Sequence, residues 1–181
     1  PRPRWPLFSS WRSTLLRTST ATVVSAFLPI CAWGEDLSVD NASDIVNGDV
    51  SSISALQADS GEDGISLREA IEAANHTPGA DWIRLQNQTI GLVQVELTVT
   101  DCVTVRECVI DAQQQPAGID STADLRLEGL TIKNAGTGIR FRPIMTNTLH
   151  IDNCVVKENR LGIAAYSGDV VLVRSTLDRN V

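Results

Sequence analysis

From Leu125 onward, apolar residues alternate with polar ones in short runs, and the runs recur. Gly129-Leu130-Thr131-Ile132-Lys133 leads to Gly138-Ile139, and Asn153-Cys154-Val155-Val156-Lys157 leads to Gly162-Ile163. At an offset of 24 residues Leu125 falls on Leu149, Leu127 on Ile151, Ile132 on Val156, Lys133 on Lys157 and Gly138 on Gly162. A third copy starts at Val171-Leu172-Val173, with Val173 set 22 residues after Ile151, and runs to Arg179-Asn180. A repeat of 20 to 25 residues built from such runs marks a stacked solenoid, because a strand of a few residues is held flat only by the coils above and below it. Alternation sends Leu125, Leu127, Leu149, Ile151, Val171 and Val173 to one side, the inside of the coil. The pattern predicts an all-β fold, a right-handed parallel β-helix over residues 81–181. An antiparallel sandwich also has short strands, but Asn-Gly and Asp-Gly hairpin signals are absent from Leu125 onward.

Upstream the pattern changes. Trp82–Leu85, Thr89–Leu92, Leu97–Thr100, Val103–Val105 and Val109-Ile110 are short strand candidates that suit the first coils, and residues 111–117 form a protruding loop. Before them Ser66-Leu67-Arg68-Glu69 has the form of a capping box. Leu67, Ala70, Ile71 and Ala74 then share one helical face, so a helix is predicted over 66–75, with Arg68 and Glu72 paired on its wet side. It is the only convincing helix in the pattern. An amphipathic helix ahead of a solenoid covers the apolar end of the first coil, so residues 35–80 are expected to form an N-terminal cap. Asp40, Asn41, Asp44, Asn47 and Asp49 share the composition of a calcium loop but not its spacing, which predicts a solvated loop.

Asp63-Gly64-Ile65-Ser66-Leu67-Arg68-Glu69-Ala70-Ile71-Glu72-Ala73-Ala74-Asn75, followed by Pro78-Gly79-Ala80-Asp81-Trp82, resembles the CSLREA-type N-terminal module of bacterial exported proteins with right-handed parallel β-helix repeats. Ile65 stands where that module has its cysteine. The resemblance spans roughly residues 36–181. It implies the fold and a secreted or cell-surface location, and it carries over no catalytic residues.

Residues 1–34 read independently as a secretory leader. Arg2, Arg4, Arg12 and Arg17 precede the apolar segment 21–32, and Ala32-Trp33-Gly34 places small residues around a cut before Glu35. The apolar segment, interrupted by Pro29, is too short to span a membrane. The whole chain has a net charge of −7; beyond residue 34 there are 11 basic against 22 acidic residues. Such a body repels nucleic acid and anionic lipid. The odd set Cys102, Cys108 and Cys154 has no zinc spacing and reads as structural or free thiols. The repeats run up to Val181 without a closing cap, which predicts further coils beyond it.

Two outward columns carry the candidate chemistry. Glu128, Asp152 and about Arg174 form one, and Lys133, Lys157 and Arg179 the other. Adjacent coils lie about 4.8 Å apart, so Glu128 and Asp152 become neighbours, either a solvated ladder relieved by Arg174 or a weak site for Ca2+ or for glycosidase-like acid chemistry. The Lys133–Lys157 column could meet an acidic glycan. His76 and His150 have no Ser or Cys at triad spacing. No catalytic or metal set is predicted, and no cofactor beyond that Ca2+. The expected function is a structural, adhesive or glycan-binding role at the cell surface, with extracellular glycan or a host surface as partner. The alternative is a polysaccharide lyase or glycoside hydrolase.

Overall fold

In the computed structural model, which describes residues 33–181, every pairing between strands is parallel. The leader expected over 1–34 lies outside the described residues except for Trp33 and Gly34, which begin β1 (Trp33–Val39). Two helices follow, α1 (Ile53–Ala58) and α2 (Leu67–Asn75). The coils then build in order: β2 (Ala80–Gly91) and β3 (Leu97–Val99); β4 (Val103–Asp111) and β5 (Ala117–Ser121). The third coil is β6 (Leu125–Glu128), β7 (Thr131–Lys133) and β8 (Thr137–Phe141). The fourth is β9 (Thr148–Asp152), β10 (Val155–Lys157) and β11 (Leu161–Ala165), and β12 (Asp169–Val173) with β13 (Thr176–Asp178) begins the next. The larger sheet runs β12-β9-β6-β4-β7-β10-β13, with β2 on β4 and β1 on β2; the smaller runs β11-β8-β5-β3. This is the right-handed parallel β-helix that the repeats predict, in the hand that parallel connections take almost without exception.

Stacking produces aliphatic ladders. Ile83, Val105, Leu127, Ile151 and Leu172 lie in register. So do Ile90, Ile110, Ile132, Val156 and Leu177. On the smaller sheet Leu97, Ile119, Ile139 and Ile163 make a third ladder. Most of these side chains are fully buried, each stabilising the fold by about 1.5–3 kcal/mol. Polar rungs fill the inner corners. Asn159 Oδ1 accepts from the Ala135 N–H at 2.9 Å, its Nδ2 donates to Asn180 Oδ1 at 3.0 Å, and Asn180 Nδ2 donates to the Val156 carbonyl at 2.9 Å. Cys154 is buried against Leu130, whose N–H donates to its sulfur. Burial pushes the Cys108 thiol up to about 12, with the nearby Cys154 sulfur adding to the effect.

The register corrects two expectations. Ile151 pairs with Leu172, 21 residues on, not with Val173. The inward residues of the last coil are therefore Val170 and Leu172 rather than Val171 and Val173. The cause is the connection: residues 142–147 join β8 to β9, whereas only residues 166–168 join β11 to β12. Further, the separate strands expected at Trp82–Leu85 and Thr89–Leu92 are halves of β2, and those at Val103–Val105 and Val109-Ile110 are halves of β4. A single left-handed residue bends each, Asn87 (φ 57°) and Glu107 (φ 59°). Gly129 (φ 70°), Asn153 (φ 53°) and Arg174 (φ 49°) repeat that bend above them, one per coil. One left-handed residue redirects the chain sharply, and asparagine accepts the conformation more readily than most residues.

At the N-terminal end α2 carries the predicted capping box: Ser66 Oγ accepts from the Glu69 N–H, and Glu69 Oε2 accepts from the Ser66 N–H at 2.8 Å. Glu69 Oε1 also accepts from the N–H groups of Asn47 and Gly48 at 2.7 and 2.8 Å. The helix covers the free edge of β3. Asn75 Nδ2 donates to the Thr98 carbonyl and Asn75 Oδ1 accepts from the Thr100 N–H, both at 2.8 Å. An edge so covered cannot recruit another strand. Three expectations fail here. α1, capped by Ser52, is a second helix that its six residues hide from a periodicity test. Arg68 is buried rather than wet: it grips buried Asp44 through Nε (2.7 Å) and Nη2 (3.1 Å) and reaches the Val95 carbonyl at 2.6 Å. Asp44 is thus no solvated loop residue; its Oδ2 also accepts from the Val93 and Gln94 N–H groups.

Candidate functional site

Along one outer face, the position just before the bend carries Arg106, Glu128 and Asp152 in register, with Arg84 of β2 paired below Arg106. Glu128 and Asp152 are neighbours on successive coils, as predicted. Arg174 lies one residue beyond that column, yet its side chain turns back onto Asp152: Nε donates to Oδ1 at 3.0 Å and Nη2 to Oδ2 at 2.7 Å. Glu128 meets Arg126 Nε through Oε1. Its Oε2 lies 2.7 Å from Arg106 Nε, a charge contact that is not aligned as a hydrogen bond. The Arg106 guanidinium also sits over the Trp82 ring, 3.9 Å from its centroid, a stabilising cation–π geometry.

Both carboxylates are held ionised. Partial burial pushes Glu128 up, but the Arg126 hydrogen bond and the charges of Arg106 and Arg126 outweigh it, and the group stands below its usual value. The hydrogen bonds from Arg174 lower Asp152, helped by the charges of Arg174, His150 and Arg126. A shallow depression of about 320 Å³, open to solvent, runs along this face from Arg106 and Glu107 across Gly129 to Asn153 and Arg174.

The second column departs from expectation. Asp111, Lys133, Lys157 and Asp178 lie in register. Arg179 belongs one residue further on, at a left-handed bend with Asn134 and Glu158. The 21-residue spacing of the last coil is again the reason. The column is therefore not like-charged: Lys133 Nζ stands 3.1 Å from Asp111 Oδ2, and Lys157 lies 3.9 Å from Glu158.

A third cluster escaped the sequence pattern. On the smaller sheet buried Asp120 accepts from Arg140 Nη1 at 3.0 Å and Arg142 Nε at 3.1 Å, and Arg140 reaches Glu96 at 3.5 Å. Asp120 and Arg140 are 20 residues apart and pair directly across β5 and β8. That spacing was the available signal, hidden because the offset of 24 does not extend below Leu125.

Among the described residues no group of three or more His, Cys, Asp or Glu side chains could hold a metal ion, and no helix is long and apolar enough to cross a membrane. His76 Nδ1 lies 2.9 Å from the Val50 carbonyl, and His150 stands beside Arg126 in register. The fold and this face define the chain as a parallel β-helix solenoid with a helical cap and charge-paired outer columns. Comparison with known protein families, curated proteins and solved structures finds no match.

Proposed function

We propose that the chain serves as an exported, cell-surface scaffold of adhesive character that holds glycan on the face bearing Glu128 and Asp152. The resemblance of residues 63–82 to the CSLREA-type module supports the export reading. The observation that carries glycan binding is the pairing of Glu128 and Asp152, on adjacent coils, with Arg126, Arg106 and Arg174 beside the half-exposed Trp82 ring. Sugars present hydroxyls that both donate and accept, together with apolar C–H faces. Carboxylates accept from the hydroxyl O–H groups, guanidinium groups donate to the hydroxyl oxygens, and an aromatic ring meets the C–H face. A stack of rungs at fixed spacing is suited to a linear polymer lying along it.

The enzymatic alternative needs one carboxyl protonated to serve the leaving group. Glu128 and Asp152 both stand below their usual values, so the binding reading fits this face better. The test is twofold. The protein should retain glycan from an immobilised panel of neutral and acidic structures, with Asp152→Ala weakening retention severalfold. Release of reducing or unsaturated sugars by the wild type, abolished in Asp152→Ala, would move the assignment to a carbohydrate-active enzyme.

A further inference from the structure

The bend column holds Glu107, Gly129, Asn153 and Arg174 one above another, all left-handed. The other three members show that this bend needs no glycine. Nor does packing demand one: a Cβ built on Gly129 meets nothing nearer than Glu107 Cγ at 3.9 Å. What glycine supplies is a gap. The row of side chains along the bend is interrupted at this one rung, and the depression opens there, with Glu107 and Asn153 as its two ends and the Arg106–Glu128 and Asp152–Arg174 pairs beside it. Its two ends are two coils apart, roughly 10 Å at the usual strand spacing. Its volume is about 320 Å³ and it lies open to solvent, a shallow seat rather than an enclosed cavity.

We propose that Gly129 is the specificity-determining position of the glycan face: the notch it leaves seats one ring of a neutral, unbranched glycan. This rests on the glycan-binding reading above and adds the place and the sugar class. The charge around the notch selects against acidic sugars. The guanidinium groups of Arg106, Arg126 and Arg174 are matched by the carboxylates of Glu107, Glu128 and Asp152, with no unpaired cation left to hold an anion, and the chain as a whole is net negative. A uronate or sulfate would therefore be repelled, whereas hydroxyls find both donors and acceptors. A branched unit has no room between Glu107 and Asn153.

Gly129→Asn is the test. Asparagine already occupies this bend at Asn87 and Asn153, so the variant fills the notch while keeping a backbone conformation the residue tolerates. Binding of linear neutral oligosaccharides, followed by calorimetry alongside uronate oligomers, should fall at least tenfold with the thermal midpoint within a few degrees of wild type. Glu107→Gly supplies the converse measurement at a bend that glycine adopts freely: it should keep linear binding and gain branched oligosaccharides that the wild type refuses. Wild-type affinity in folded Gly129→Asn, unchanged branch selectivity in Glu107→Gly, or preference for uronates would each overturn the notch. If Asp152→Ala still weakened binding in that case, the glycan face itself would stand. Absence of binding to every glycan tested would remove both.

Discussion

Asp81 occupies an inward rung beneath Val103, Leu125 and Leu149. Its Oδ1 accepts from the Glu35 N–H at 2.8 Å, and its buried Oδ2 has no partner. Burial pushes this carboxyl above its usual value; the Glu35 N–H opposes that, and the charges of Asp101 and Glu35 reinforce it. The sign follows from linkage. A folded-state carboxyl raised above its unfolded value keeps its proton longer when folded, so stability is greatest below the unfolded value and declines as pH rises through the interval up to the folded one. Asp81→Asn preserves the acceptor and removes the charge. Thermal melts should show the variant more stable than wild type by a few degrees at pH 7, with the gap closing near pH 3. The position was not legible in the sequence, because an acid next to Trp82 looks like an ordinary turn residue until the rung below Val103 is known.

At the level of elements, the cap depends on an ion pair that sequence spacing conceals. Arg68 and Asp44 are both buried, and 24 residues of loop and helix separate them. Removing one partner of such a pair leaves an uncompensated buried charge, which costs about 3–5 kcal/mol. Arg68→Met should lower the unfolding free energy from denaturant titration by that order, and adding Asp44→Asn should restore part of it; equal loss in the single and double variants would show that the stranded Asp44 charge is not the cause. The capping box, by contrast, was legible in full, since Ser66 and Glu69 interact at a fixed local distance whatever surrounds them. Short α1 was not, because six residues hold too little periodicity. The same contrast divides the candidate site. Glu128 and Asp152 could be placed from an exact 24-residue repeat. The last coil could not, because Val170-Val171-Leu172-Val173 is apolar throughout and gives no parity. Arg106 was missed because β4 carries its bend at Glu107, a residue that does not advertise a turn.

For the molecule as a whole, the two ends of the described stack differ. Below, β1 pairs with β2, α2 lies against β2 and β3 with α1 packed on α2, and α2 side chains take up backbone groups at and beside the edge of β3. Above, Leu172 and Leu177 of the last coil are partly exposed, as are Val171 and Ile163. Removing residues 35–78 should therefore expose the edge of β3 and the apolar interior of the first coil together. Light scattering should report association of the shortened chain at concentrations where the full chain stays dispersed; a dispersed, folded product would show that the helices do not protect that edge.

The helical lid has a mechanical consequence. Each coil is secured only by its neighbours, whereas the first coils are also clamped by Arg68, Asn75 and Asp44. Under tension, coils held only by their neighbours should peel rung by rung, releasing length in nearly equal steps, before the clamped base yields. The base of the stack would then hold its fold while the coils beyond it give way under load.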